Sequence, residues 1–363
     1  MGDEPGRHVT LAVPGLLGPS IPGQVGVREA VRALTEGLSL AALERVFARC
    51  SRAPAQPPEA GLTALLFACF GVARQGADWP VAAVTRRFDG GAVDDAWVLR
   101  ADPVHLRAAM GELVLSDSAA LGLTAAQSAE LAGELNDSLG DAGFRLEPLA
   151  PERWYLSFEH APALVTSAPW DAVGAPVDEY LPRGEDSARW LATMNDAQMI
   201  LHASPVNRER ERRGEPPVNS LWLWGGGRMP HLSGGCWKGV WGAAPLEKAL
   251  AELDGAALNA PCDDARAWLS GAVPSGRHLV VLDGGYLAAR RIDVEAWREF
   301  ITHLDRDWVA PLLEALRDGR LQSLAIAADE GAGFLLQRRG LRRWWRRRRP
   351  FEQVIVTSRD AIP

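Results

Sequence analysis

The apolar positions of this chain change rhythm twice. HVTLAVPG (8–15) is a short apolar run closed by Pro14-Gly15, which predicts a buried strand. Residues 27–50 then repeat at helical spacing, with Val27, Ala30, Val31 and Leu34 followed by Leu40, Leu43, Val46 and Phe47. APAQPPEAG (53–61) predicts a loop, and GLTALLFACFGV (61–72), apolar throughout, a buried helix. From about residue 96 the texture becomes α+β: AWVLRADPVHL, ELVLS, GFRLEPL and RWYLSFE predict strands. Thr124 and Gln127 predict a capping box ahead of the helix AAQSAELAGELNDSL. After the turn-rich VTSAPWDAVGAPVDEYLPRGED, helices and apolar strands alternate again from near 240: KGVWG, PLEKALAEL, HLVVLD, a long helix over 293–317, SLAIAAD and EQVIVTS. Such alternation predicts a mostly parallel sheet covered by helices. The expected organisation is a discontinuous α/β domain, residues 1–95 and 236–363, interrupted by an α+β domain over 96–235.

The stretch SPVNRERERRGEPPVNSLWLWGGGRMP (204–230) carries the densest local signals. Just before it, Asp186 is the expected cap of a helix holding Trp190, Leu191, Met194 and Leu201. Ser204-Pro205 predicts the N-cap and first residue of a second helix, Gly214 its C′ residue, and Pro216-Pro217 prevents continuation. In LWLW, Leu221 and Leu223 face one way, Trp222 and Trp224 the other. Gly225–Gly227 predict a sharp turn or a close approach to a ligand. The bland reading is two core tryptophans and a turn; a bare GGG lacks the spacing of a phosphate or dinucleotide loop.

Composition adds limits. The chain has 363 residues, 47% apolar and 23% charged, enough for two globular domains. No apolar run has the length of a membrane span, and MGDEPGRHVTLAVPG has too short an apolar run for a secretory signal, so the expected location is cytoplasmic, without membrane contact. Cys50, Cys69, Cys236 and Cys262 are scattered, without zinc spacing, and are expected to be reduced thiols. The net charge of −7 provides no general pull on nucleic acid. RRGLRRWWRRRRP (338–350) is the local exception: without its eight arginines the chain would stand at −7 − 8 = −15. It reads as a solvated face, as a phosphate or nucleic-acid contact, or as a set of arginines holding an anionic ligand.

PVNRERERRGEPPVNSLWLWGGGRMP resembles the H-P-V-N-x-x-R-x-x-x-G-x-x-P-A-N-x-x-W-L-W-G-x-G-x-x-P segment of archaeal-type cofactor-independent phosphoglycerate mutases. DEYLPRGED (178–186), TSAPWDAVGAPV and LTAAQSAELAGELNDSLGDAGFRLEP extend the likeness over about residues 96–250. ADPVHLR, PERWYL and the Arg/Trp-rich tail resemble a bacterial subgroup, the RpfE-type regulatory proteins. The resemblance implies an alkaline-phosphatase-like α/β domain with a mostly parallel sheet, interrupted by an α+β domain. It also implies two divalent metals and a nucleophilic serine, and those positions are altered. Gly15 stands where the Asp of "PDG" would be, EAGLTALLFACFG has no serine, VVLDGGYLAARR has no histidine, and of "PDH" only Asp329 remains, followed by Glu330. Phosphoryl transfer through two metals needs these groups together. The expectation is therefore a pseudoenzyme: a regulatory or ligand-binding protein with no metal, no cofactor and no catalytic residue. An active metal-dependent phosphotransferase with an altered site is the alternative.

Candidate ligand residues are Arg100, Asp102 and His105 near one strand, and Asn207, Arg208, Asn219, Trp222, Trp224, Gly225 and Gly227 in the patterned stretch. An Arg fork suits phosphate or carboxylate, although Arg100, Asp102 and His105 read equally well as a local polar network. The expected arrangement has Trp222 and Trp224 bracing a cleft at a domain junction, with Arg208 facing an anionic small molecule. A protein partner is open, and nucleic acid is the less favoured partner.

Overall fold

The computed structural model describes residues 6–19, 26–52, 61–109, 112–116, 121–140, 145–173, 175–273, 275–343, 345–346 and 348–359. The loop expected at 53–61 lies outside them except for Gly61. The chain divides into two compact units, Met1–Gly71 with Leu232–Pro363, and Val72–His231.

The first unit begins with β1 (Arg7–Ala12), α1 (Val27–Thr35), α2 (Ala41–Arg49), β2 (Ser51–Arg52) and α3 (Leu62–Cys69). The chain then enters the second unit, with α4 (Val81–Phe88), β3 (Trp97–Val104), β4 (Leu106–Ala109), β5 (Glu112–Leu115) and α5 (Ala125–Leu139). β6 (Leu146–Ala150), β7 (Arg153–Phe158), α6 (Pro169–Ala172), α7 (Ser187–Ala203), α8 (Pro205–Arg212) and β8 (Ser220–Gly227) complete it. The first unit resumes with β9 (Gly239–Trp241), α9 (Pro245–Asp254), β10 (Ala257–Asn259), α10 (Ala265–Gly271), β11 (Gly276–Val281) and α11 (Tyr286–Arg290). It ends with α12 (Val294–His303), α13 (Ala310–Arg317), β12 (Ser323–Ala327), β13 (Gly333–Gln337) and α14 (Phe351–Arg359).

In the first unit the strands form one sheet in the order β10-β9-β11-β1-β12-β13-β2. The five strands from β10 to β12 are parallel, and β13 and β2 are added antiparallel at one edge. Its apolar core joins Leu11 of β1 to Leu43, Phe47, Trp297, Leu312 and Ile326 from the surrounding elements. This is the α/β, mostly parallel, helix-covered architecture expected from the alternation. Two local expectations change. EQVIVTS is helical in α14, not a strand: Phe351, Val354 and Ile355 recur at helical spacing and are buried against α1 and α2. The expected continuous helix over 293–317 is interrupted by a π-turn at Leu304–Val309. From that turn Asp305 accepts a hydrogen bond from the Leu43 backbone N–H at 2.6 Å, near the start of α2, which has no capping side chain of its own.

The second unit is built on the antiparallel sheet β6-β7-β3-β8, with β4 and β5 as a separate hairpin. The Thr124/Gln127 capping box is present at α5. Residues 72–95, expected in the first domain, belong here: Ala82 and Ala83 of α4 pack on Val98 and Tyr155 of the sheet. Asp186 does not cap α7 with its side chain; its carboxylate instead accepts from Ala163 N–H at 2.7 Å. Ser204 does cap α8, with Pro205 at N1. Gly225–Gly227 do not form a turn but the last residues of β8. Gly225 has φ +69° and occupies a β-bulge opposite the Val98–Arg100 register shift; its N–H donates to Thr166 Oγ1 at 3.1 Å. Gly226 lies against the Trp97 ring with no room for a Cβ.

Candidate functional site

The residues expected to hold a ligand sit on or directly beside β3, β8 and α8, and almost all are occupied by internal bonds. Alternation puts Leu221 and Leu223 into the apolar core of the second unit. Trp222 and Trp224 lie on the opposite face, paired in register with Asp102 and Arg100 of β3. Arg100 and Asp102, 5% and 4% exposed, form a bidentate ion pair at 2.7 and 2.8 Å. The Arg100 guanidinium lies 5.1 Å from the Trp224 ring and 5.3 Å from the Tyr155 ring. Trp224 Nε1 donates to Asp102 Oδ2 at 2.7 Å, and Arg100 Nη1 to Thr85 Oγ1 at 3.3 Å. Burial pushes the Asp102 carboxyl up, and the Arg100 charge opposes that shift. This is a closed network holding α4, β3, β7 and β8 together.

The remaining candidates tell the same story. His105 Nδ1 meets Pro217 O at 2.8 Å. The Asn219 side chain imitates a strand residue, accepting from Leu106 N–H at 2.7 Å and donating to Leu106 O at 2.8 Å. Asn207 donates to Leu201 O and Val218 O and accepts from Val218 N–H. Trp222 Nε1 donates to Ser167 O at 2.8 Å. The ring nitrogens of both tryptophans are thus satisfied inside this unit. Gly225 and Gly227 serve the strand, where Gly227 packs against Pro80 too closely for a Cβ. Arg208 is exposed on α8. Sequence reasoning missed Arg210, two residues on, which is fully buried. It donates to Pro216 O, Gln127 Oε1 and Leu121 O and pairs with Glu215 at 3.3 Å. Within RERERR nothing local distinguishes it; only the helix phase against a distant loop does.

A different group gathers at the carboxyl edge of the parallel sheet. β11, β1 and β12 are adjacent and parallel, so the residues after them emerge on one edge, the usual ligand side of open α/β sheets. β1 is followed there by Gly15, β11 by Asp283, and β12 by Asp329 and Glu330. Gly15 N–H donates to Asp329 Oδ1 at 2.7 Å, and Gly61 N–H, just before α3, to Asp329 O at 2.9 Å. Burial, then the neighbouring Asp329 charge, pushes Glu330 well above the usual carboxyl range, and its Oε2 is buried with no hydrogen-bond partner among the described residues. Arg359 of α14 acts electrostatically on Glu330 while donating to Leu17 O, Gly18 O and Pro19 O at 2.8–3.0 Å. Next along the sheet, Glu247 in the first turn of α9 is raised to about 7 by burial and by Asp283, which burial also raises.

These residues do not fit a two-metal centre. Among the described residues no group of three or more His, Cys, Asp or Glu side chains could hold a metal ion. Asp329 is engaged by a backbone amide, and the position opposite it is a glycine with φ +75°, where a Cβ would stand 2.7 Å from Gly285 O. An aspartate cannot be accommodated there without moving the backbone. Arg359 places positive charge beside Glu330 on this edge.

Comparison with known proteins follows the same division. A family described as 2,3-bisphosphoglycerate-independent phosphoglycerate mutase matches residues 91–207, all within the second unit. A probable mutase of that description from Geobacter sulfurreducens is 30% identical over 155 residues, 42% of this chain and 38% of that protein. One from Methanothrix thermoacetophila is 32% identical over 119 residues, 33% of this chain and 30% of its own length. The match thus spans less than two fifths of these relatives. In fold, the PH0037 protein from Pyrococcus horikoshii is similar over 93% of this chain and 88% of its own, with a TM-score of 0.51 and 14% identity. The chain therefore shares its overall fold with that protein, and its middle third is similar in sequence to cofactor-independent phosphoglycerate mutases.

Proposed function

We propose that this protein is a regulatory or ligand-binding relative of the mutases that has lost phosphoryl transfer. The observation that supports this most is the Gly15–Asp329 hydrogen bond. It ties the one retained motif carboxylate to the backbone of a position that has no side chain to ligate a metal. Arg359 places on this edge positive charge of the kind that cations would otherwise have to provide. α3, which starts beside Asp329, carries LTALLFAC without a serine; its one hydroxyl, Thr63, is buried with no hydrogen-bond partner among the described residues. The ligand class in this reading is a small phosphorylated or carboxylated metabolite, by analogy with the mutases to which the middle of the chain is similar. Arg100 does not take part, because its guanidinium is closed off by Asp102, Trp224 and Tyr155.

Two measurements on the same preparation test this. A coupled assay for interconversion of 2- and 3-phosphoglycerate, with manganese, cobalt or zinc supplied, should give no turnover above the protein-free background. Titration calorimetry with 3-phosphoglycerate should give saturable binding. Turnover at a mutase-like rate overturns the loss of chemistry, and absence of heat with either phosphoglycerate overturns the ligand class.

A further inference from the structure

The arginine run of the C-terminal region is not an isolated charged tail. It is laid over the end of α2 and beside the end of α13. Arg49 Nη1 donates to Leu341 O at 3.3 Å, and Arg343 Nη1 to Arg49 O at 3.4 Å. The Arg338 guanidinium lies over Gly319, whose Cβ, if present, would stand 3.1 Å from it. Arg343, Arg346 and Arg349 all act on the Cys50 thiol, and Arg45 and Arg317 act on Arg49. Three chain segments thus pool positive charge on one face of the first unit. Arg338, Arg339, Arg342, Arg346 and Arg348 are exposed, and none pairs with a carboxylate among the described residues. Trp345 stands among them, 65% exposed. Arginine in place of lysine carries no information here, since only Lys238 and Lys248 occur in the whole chain. The clustering does, because the chain as a whole carries −7.

We propose that this face binds single-stranded nucleic acid. Exposed guanidinium forks match phosphate oxygens. An exposed indole within the same patch offers a stacking face for an unpaired base. A bilayer is the poorer match, because the apolar side chains of the adjoining α14, Phe351, Val354 and Ile355, are buried inward and leave Trp345 as the only exposed large apolar group of the run among the described residues. This inference is independent of whether the sheet edge binds a metabolite.

The test is fluorescence anisotropy of a labelled oligothymidine with the full chain, over a series of salt concentrations. Arg342→Gln/Arg346→Gln/Arg348→Gln is the informative variant. Arg343 and Arg349 are left intact because they bond to Arg49 O and Thr357 Oγ1 and support the local fold. Binding should weaken with salt, and the triple variant should lose about 2 from the log–log salt slope, at roughly 0.7 per released phosphate contact. Trp345→Ala should weaken binding about tenfold with little change in that slope. An unchanged melting temperature certifies that each variant is folded. The proposal is overturned by no binding at low salt, by an unchanged slope in the triple variant, by duplex binding as tightly as single strand, or by capture on phosphatidylglycerol vesicles without oligonucleotide binding.

Discussion

Gly15 donates its backbone N–H to Asp329 Oδ1 across 2.7 Å, joining the ends of two neighbouring parallel strands. In the mutases that the sequence resembles, an aspartate would stand at the first of these positions. Here a glycine stands there, and its backbone N–H is what meets Asp329. Gly15 has φ +75° and faces Gly285 O, so the position has become one that only glycine fills without strain.

Restoring the missing carboxylate should therefore fail. Gly15→Asp is expected to destabilise the protein by about 1–3 kcal/mol for the left-handed backbone alone, with the clash against Gly285 added. Urea unfolding reads the loss, and elemental analysis after dialysis against manganese should find no stoichiometric metal. A stable variant that retains two metals would contradict the account of the edge.

The pH dependence of stability should be tilted by Glu247, which is 2% exposed and has a pKa of about 7 against an ordinary 4.5. The folded state holds the proton more tightly than the unfolded one. The contribution is thus complete below about pH 4.5 and is lost as pH rises through 7, with a size of about 3 kcal/mol. Glu330 and Asp283 act with the same sign. Glu247→Gln keeps the acceptor for Ala244 N–H and should flatten the curve between pH 5 and 8. A wild-type stability that rises over this interval would show that these acids are not buried as described.

Breaking the Arg100–Asp102 pair from one side should be costly. Asp102→Ala leaves a buried guanidinium and the Trp224 N–H without their acceptor, and about 3–5 kcal/mol is expected from such a deletion. Arg100→Met/Asp102→Leu should recover much of that loss. Equal losses in the single and double variants, read from chemical denaturation, would mean that the charge pair is not what the deletion exposes.

Arg208 and Arg210 are two residues apart and should behave oppositely. Arg208→Ala changes an exposed side chain and should stay within about 0.5 kcal/mol of the parent. Arg210→Ala strips donors from Leu121 O, Pro216 O and Gln127 and should cost about 2–4 kcal/mol. A phosphoglycerate-induced rise in melting temperature should survive Arg208→Ala, and its disappearance would return Arg208 to the ligand site.

Periodicity alone determined most of the elements. β1, α1, α2, α3, the capped α5 and the Ser204-Pro205 start of α8 follow from local patterns, because burial on one face and capping act over a few residues. That the resembling segments carry no serine, histidine or aspartate at the corresponding motif positions, apart from Asp329, was likewise legible in the sequence. Tertiary structure decided what local chemistry leaves ambiguous. EQVIVTS has both a β-branched content and a helical spacing, and its packing on α1 and α2 chose the helix. GGG could turn or extend, and pairing of β8 with β3 chose a bulged strand. Arg100, Asn207 and Asn219 look like ligand groups in a list of residues, because a polar side chain in sequence shows its donors but not their partners. Only the packed chain supplies those partners, from residues as distant as Val218 for Asn207, Leu106 for Asn219 and Trp224 for the Arg100–Asp102 pair. The same long-range placement set Arg359 beside Glu330 and laid the C-terminal arginines over α2, since charge acts through space and its neighbours are chosen by the fold.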